Sequence, residues 1–389
     1  MKRLHCELWA LIIVAVMGFG AYAKVPKWNK RMQELSQALK DVMPEVVSES
    51  GDRKKLEQGA RRLSELVHSL KVVPGGESML PPDADPSLSF ISEVFEKEVH
   101  RAYSAVREGH TDYARGILRG VTAYCIACHG RTGSGPDFAG VDLTKQTQKM
   151  QGLARAELLA ATRQSDAAFD EFMKIVSDRD KAGRRQLEWR RAVQRALLLA
   201  VRVKQDPDRA LKVVEAAQKI SSAQFVKEYT TGWKDAIVAW KHEAPAHPQS
   251  EDGLYSEASR LYAAGIAAQR FPLDHSADVH FLRATALAHN QLGIAPQGAR
   301  SADAFLLIGQ AYEVLNDPAL WPIHEVYYMA CIRRAPQTAT SKKCFERYEE
   351  SVYVGYSGSG GVSVPDDVLE QLTELKSLAF GVPQVKKSK

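Results

Sequence analysis

"YCIACHG", residues 124 to 130, puts two cysteines three positions apart and a histidine directly after the second. The chain holds only five cysteines in 389 residues, so two within one helical turn ask for a reason. Four readings fit the spacing: a haem attached through two thioethers, half of a zinc site, a redox dithiol, or coincidence. Compartment and local secondary structure separate them.

The N-terminus reads "MKRLHCELWALIIVAVMGFGAYAK". Lys2 and Arg3 form a basic start, Leu8 to Phe19 is apolar, and Ala21-Tyr22-Ala23 has the small-x-small pattern that signal peptidase cuts after. Residues 1–23 are therefore expected to be a signal peptide, with the mature chain starting at Lys24. The competing reading, an uncleaved anchor, needs about 18–20 apolar residues, which this run does not reach. Cys6 would leave with the signal peptide. No other segment is long and apolar enough to cross a bilayer, so the expectation is a periplasmic protein with no membrane span after cleavage. The formal charge of +5 is spread over 52 basic and 47 acidic residues, which is no nucleic-acid signature. In an oxidising compartment a free vicinal dithiol does not persist unless something caps or recycles it.

Along the chain, apolar residues recur at three and four, and strand signals are nearly absent. Met32, Leu35, Leu39, Val42 and Val46 make one stripe, and Leu56, Ala60, Leu63, Val67 and Leu70 a second. A third helix is predicted from Ser87 to Arg107 with Ile91, Phe95, Ala102 and Val106 inward, ended by Gly109. Thr111 then reads as the N-cap of a fourth, which runs through Tyr113, Ile117, Val121 and Tyr124 into the cysteine pair. Four helices joined by turns imply a bundle. The predicted haem domain covers 24–140, and the Gly-rich "GRTGSGPDFAG" (130–140) closes it.

After that loop the pattern is helical and modular. Helix–turn–helix units are predicted at 157–178, 195–220, 254–292 and 301–334, followed by a flexible loop at 355–365 and a closing helix striped by Leu369, Leu372, Leu375 and Ala379. The 301–334 unit carries Leu307, Gly309 and Tyr312, with Pro336 after its second helix. Residues 150–380 thereby resemble the tetratricopeptide repeat, whose Gly and Tyr allow close helix packing. The match is degenerate, since no unit shows the full pattern. The expected fold class is all-α, a four-helix haem bundle followed by a tetratricopeptide-like α-solenoid.

A c-type haem needs two thiols that reach its two vinyl groups and an imidazole that reaches the iron. Cys125 and Cys128 on one helical turn supply the thioethers, and His129 the axial ligand. A zinc site would need two further ligands, and Cys331 and Cys344 are too far apart in sequence to form a knuckle. A thioredoxin-like pair opens a helix after a strand, whereas this one closes a helix with no strand before it. One covalent haem c is the expected cofactor.

Residues 24–135 resemble the cytochrome c′ group, in which four antiparallel helices carry Cys-x-x-Cys-His near the end of the fourth. In that group a residue of the first helix covers the open haem face: a Met gives six-coordinate iron, a Leu or Phe leaves it five-coordinate. The resemblance offers Met32 or Leu35 in "KRMQELSQAL", with Leu35 preferred because Arg31 stands four residues before it. The sequence departs from the group at "CHGRTGSGP", which lacks the aromatic-basic ending and resembles small class I cytochromes. Those take a methionine from downstream, where Met150 and Met173 stand.

Several residues keep two readings. Arg131 suits a haem propionate or is a solvated loop arginine. His68, His100 and His110 are distal-ligand candidates or surface histidines. Cys331 and Cys344 form a disulfide across a helical hairpin or stay as buried thiols. The basic run 179–195 docks an acidic partner or is a solvated face. With no catalytic constellation apart from the haem, the sequence points to an electron carrier or binding protein rather than an enzyme. The expected role is periplasmic electron transfer or redox relay, with the repeats docking a protein partner such as a periplasmic or inner-membrane redox protein. The alternatives are a haem-based sensor of diatomic gases and, with less support because no distal base is placed, a peroxidase-like enzyme.

Overall fold

The structure, a computed structural model, describes residues 25–48, 51–68, 85–131, 147, 150–220, 224–243, 249–315, 320 and 322–381. The expected signal peptide and most of the Gly-rich loop lie outside the described residues. What is described is predominantly helical. None of its helices is long and apolar enough to cross a membrane. Two compact units divide it: residues 25–68 and 95–119 in one, and residues 85–94, 120–131 and 147–381 in the other.

The first unit begins with a hairpin of α1 (Val25–Val47) and α2 (Arg53–His68). Their period-3.6 stripes bury Leu35, Leu39, Val42 and Val46 on one side and Leu56, Ala60, Leu63 and Val67 on the other. Gly59 lets the two backbones close, because a Cβ there would fall 2.4 Å from Val42 Cγ2. From α3 (Pro86–Arg107) the unit receives Phe95, Val99, Ala102 and Val106. Gly109, at φ +93°, turns the chain into α4 (Thr111–Gly120).

The inward face of α4 is rotated by one residue from the predicted stripe. Ala114 and Leu118 are buried, while Tyr113 is 56% exposed beneath the Arg101 guanidinium. The cause is Arg115, a buried arginine that donates to Glu45 O at 3.2 Å and Gly51 O at 2.8 Å. The first carbonyl belongs to the last turn of α1, where helices leave acceptors without intrahelical donors, and the second to the connection that follows. A charged residue that caps another helix outweighs the apolar period.

The helix that carries the motif, α5 (Thr122–His129), is separate from α4 and belongs to the second unit. There follow α6 (Gly152–Ala161), α7 (Ser165–Val176), α8 (Arg179–Arg184), α9 (Gln186–Leu198) and a π-helical turn, Leu199–Val203. Then come α10 (Pro207–Ile220), α11 (Gln224–His242), α12 (Glu251–Ala268), α13 (Asp278–Ile294), α14 (Ser301–Val314), α15 (Ile323–Arg334), α16 (Ala339–Gly355) and α17 (Asp366–Phe380). Helices adjacent in sequence pack as hairpins: α6 with α7, α10 with α11, α12 with α13, α14 with α15.

Glycine sets the spacing of these hairpins. A Cβ on Gly309 would lie 2.5 Å from the Tyr328 ring, and one on Gly265 would lie 2.7 Å from the Phe281 ring. In each case a glycine of the first helix receives an aromatic ring of the second. Four connections turn through a left-handed residue that is not glycine: Arg163, Gln205, Leu273 and Gln337, with φ of 50° to 64°. Such residues are several times rarer there than glycine, so the turns carry no glycine signal in the sequence. Cys331 and Cys344 form a disulfide between α15 and α16, with Cα atoms 6.3 Å apart.

Two details differ from the sequence reading. The stretch expected as a flexible loop contains a short antiparallel pairing of β1 (Ser357–Gly358) with β2 (Gly361–Val362). On α17 the buried stripe is Leu372, Leu375 and Ala379, with Leu369 40% exposed.

The glycine contacts predict a contrast. Gly309→Ala should destabilise by about 1–3 kcal/mol, as overpacking of a closed contact does. Gly293→Ala, in α13 with nothing within 4 Å of the added Cβ, should be neutral or stabilising by about 0.5–1 kcal/mol. Urea unfolding followed by circular dichroism measures both; equal effects would mean that the glycine contact does not set the spacing.

Candidate cofactor site

The α5 helix is only eight residues long, and its own sequence does not fix it. It is held from outside at several points. Thr122 Oγ1 donates to Glu157 Oε2 on α6 at 3.2 Å. His129 Nδ1 lies 2.6 Å from Ala161 O, at the end of the same α6. After the helix, Gly130 has no room for a side chain: a Cβ would meet Ile126 O at 2.7 Å and Leu198 Cδ2 at 2.8 Å.

Cys125 and Cys128 are free, half-buried thiols, Cys125 in the middle of α5 and Cys128 in its last turn. Burial and the neighbouring Cys128 push the Cys125 thiol up to about 12. The Cys128 thiol is also raised, by burial first, with Arg131 opposing and Asp85 assisting. Thiol–disulfide exchange needs an accessible thiolate, as at a helix N-terminus. Neither sulfur stands at a helix N-terminus and both thiols are raised, so the redox-dithiol reading loses its activated thiolate.

The imidazole is prepared differently. Burial holds His129 neutral, at about 4, against the opposing Ala161 hydrogen bond. A carbonyl can only accept, so Nδ1 carries the proton and the lone pair sits on Nε2. That is the arrangement of a metal-ligating histidine whose ring is oriented by its second nitrogen. Two thiols on one turn with an oriented imidazole after them fit the donor set of a covalently held haem.

Arg131 is committed elsewhere. It ion-pairs with Asp85 at 2.9 Å, donates to Ala127 O at 3.1 Å and bonds Ser87 Oγ. A propionate would have to displace Asp85. Around this pair lies a buried polar network that sequence reasoning missed. Asp85 Oδ2 is 3.0 Å from His289 Nδ1 and 3.1 Å from the Tyr327 hydroxyl, and that hydroxyl is 2.8 Å from Ser87 Oγ. His289 Nε2 lies 3.3 Å from the Tyr312 hydroxyl, to which Arg202 of the π-helical turn donates at 2.7 Å. Arg202 is itself buried, and its Nε has no hydrogen-bond partner among the described residues.

Burial raises the Asp85 carboxyl, but the charge of Arg131 and the hydrogen bonds of His289 and Ser87 overcome it and hold the group well below the usual carboxylate range. Burial lowers His289 to about 4, with Asp85 opposing and both arginines assisting. The ionised carboxylate thus faces a neutral imidazole that donates from Nδ1.

The other candidates fall in different places. Met32 and Leu35 lie on α1 in the first unit, Leu35 buried in its core and Met32 half-buried. Met150, buried, and Met173, half-buried, belong to the same unit as the motif. His68 and His100 meet each other and Glu96 in the first unit, while His110 is exposed between α3 and α4. Much of the basic run is tied down by acidic neighbours, with Arg191 on Glu157 and Lys181 on Glu188. Compared with family models, with curated proteins and with solved structures, the chain matches none.

The network predicts a pH dependence. His289 binds its proton more weakly folded, at about 4, than unfolded, at about 6.5. Between those values the unfolded chain takes up the proton first, so stability is lost as pH falls through the window. The urea midpoint should drop from pH 6.5 to 4, with a shallower slope in His289→Gln. Asp85→Ala should cost about 3–5 kcal/mol at neutral pH, because it strands buried positive charge. An unchanged slope in His289→Gln would rule out the neutral buried imidazole.

Proposed function

We propose that the chain is an exported c-type haem protein that transfers electrons, with a tetratricopeptide-like helical unit that docks a protein redox partner. The observation that carries the reading is the pair of constraints on one short helix: free Cys125 and Cys128, and His129 held neutral with its lone pair on Nε2. A covalently bound haem supplies a one-electron iron couple. Cys125 and Cys128 would anchor its edge, and His129 would ligate from one side. The contact with Ala161 would keep that ring from rotating, so that little rearrangement accompanies a change in iron charge. Export rests on the basic, apolar and small-residue sequence from Lys2 to Ala23. The repeat reading rests on successive hairpins closed by Gly265 and Gly309.

Membership of the motif in the second unit bears on the other axial position. Met150 and Met173 share that unit, as a downstream methionine does in small class I cytochromes, whereas Met32 and Leu35 belong to the first. We therefore favour a downstream methionine over the cytochrome c′ arrangement.

A denaturing gel of protein matured with the cytochrome c assembly machinery should show haem-peroxidase staining at the chain's mass, absent in Cys125→Ala/Cys128→Ala. No staining of the wild type would end the haem reading. The optical spectrum then places the ligand. Met150→Ala or Met173→Ala should convert low-spin iron to a high-spin form that binds carbon monoxide, and Met32→Ala should leave it low-spin. A wild type already high-spin and open to carbon monoxide would instead support Leu35 over the iron and a gas-sensing role.

A further inference from the structure

In the first unit, His68 ends α2, while Glu96 and His100 stand four residues apart on one face of α3. Packing of α2 against α3 brings one ligand atom from each of the three within 4.8 Å of the others. His68 Nδ1 is already 2.7 Å from Glu96 Oε1. The two imidazole rings meet edge-on, with centroids 6.5 Å apart. Behind them the buried Ser64 places Oγ 2.9 Å from His100 Nδ1. When that nitrogen donates to the serine, the His100 lone pair falls on Nε2.

We propose that His68, Glu96 and His100 bind a divalent transition-metal ion of the zinc class. Two imidazoles and a carboxylate are the mixed nitrogen and oxygen donors that suit zinc, cobalt or nickel, and not the all-oxygen set that calcium and magnesium require. The ion replaces the proton that His68 Nδ1 and Glu96 Oε1 now share. The His68 side chain is 75% exposed and can swing inward without disturbing the core, whereas the Glu96 side chain is 18% exposed and is held close to its place. Ser64 orients His100 from the second layer, the part that outer partners play at metal sites. Water completes the coordination. Bound metal then clamps the last turn of α2, where a helix end otherwise frays, onto α3. The site draws on none of the residues that the proposed function gives to haem, namely Cys125, Cys128, His129 and a downstream methionine, so it stands or falls separately.

Isothermal titration of the full-length, haem-matured protein with zinc chloride tests it, with X-ray absorption at the zinc edge to count ligands. One zinc per chain is expected, with a dissociation constant on the order of micromolar or tighter and a first shell of two imidazoles plus oxygens without sulfur. His68→Ala, Glu96→Gln and His100→Ala should each weaken binding by at least about tenfold, and Ser64→Ala by roughly tenfold. His110→Ala, on an exposed histidine of the same unit, should change nothing. Metal-free melts of the variants should overlay the wild type within a few degrees, which separates loss of a ligand from loss of fold. No stoichiometric binding, sulfur in the first shell, or binding indifferent to all three ligand substitutions would overturn the proposal.

Discussion

The second unit depends on one buried ion pair, Arg131 with Asp85. Each charge alone would be costly in the interior, and together they are tolerable only because the remaining lone pairs and protons are matched. Ser87, His289 and Tyr327 do that matching around Asp85, while Arg131 also caps the Ala127 carbonyl. The contacts join segments as much as 242 residues apart in sequence. Because Arg131 follows His129 by two residues, the end of α5 is fixed by the same ion pair. The position of the cysteine–histidine motif thus comes from electrostatics outside its own helix.

Charge in this region does not cancel. Arg131 and Arg202 are both buried, His289 is neutral, and among the described residues Asp85 is the one ionised carboxylate bonded within their network. Arg202 is accommodated by the Tyr312 hydroxyl and by stacking over the Tyr312 ring at 5.3 Å, a cation–π contact that strengthens when water is excluded. The π-helical turn that presents Arg202 interrupts the regular ladder at that point, and such turns are rare and often mark functional positions.

What the sequence made legible follows from the range of the interactions involved. Helical stripes such as Leu56–Ala60–Leu63–Val67 depend on neighbours three and four residues apart, and they were read correctly, as was Gly309 as a point of close approach. The all-α class follows from them. The face of α4 differs from the apolar period because Arg115, which looks like a solvated residue, is buried to bond one carbonyl in the last turn of α1 and one just after it, 70 and 64 residues away. Turns at Arg163, Gln205, Leu273 and Gln337 were unreadable as left-handed positions because their residues carry no conformational signature. The three residues of the motif announced themselves by spacing. Asp85, Ser87, His289 and Tyr327 did not, since nothing local distinguishes a buried network residue from a surface one. The packing of α5 with the later helices has the same origin: its contacts at Glu157, Ala161 and Leu198 are all distant in sequence.

The histidines show how second partners decide chemistry. His289 has both ring nitrogens engaged, Nδ1 on Asp85 and Nε2 on Tyr312, so it has no lone pair to offer and serves packing and polarity. His129 and His100 each have Nδ1 engaged by an oxygen, Ala161 O and Ser64 Oγ. The Ala161 carbonyl forces the His129 tautomer, because it cannot donate. The Ser64 hydroxyl can donate or accept, so the His100 tautomer is set by what sits on Nε2, and a cation there selects the form with the proton on Nδ1. Burial sharpens the difference, since His129 is kept neutral by its surroundings while His100 stands at the surface. A ligand histidine is therefore recognised less by its place in a motif than by the oxygen bonded to its other nitrogen. His129 and His100 both meet that criterion, one in each compact unit.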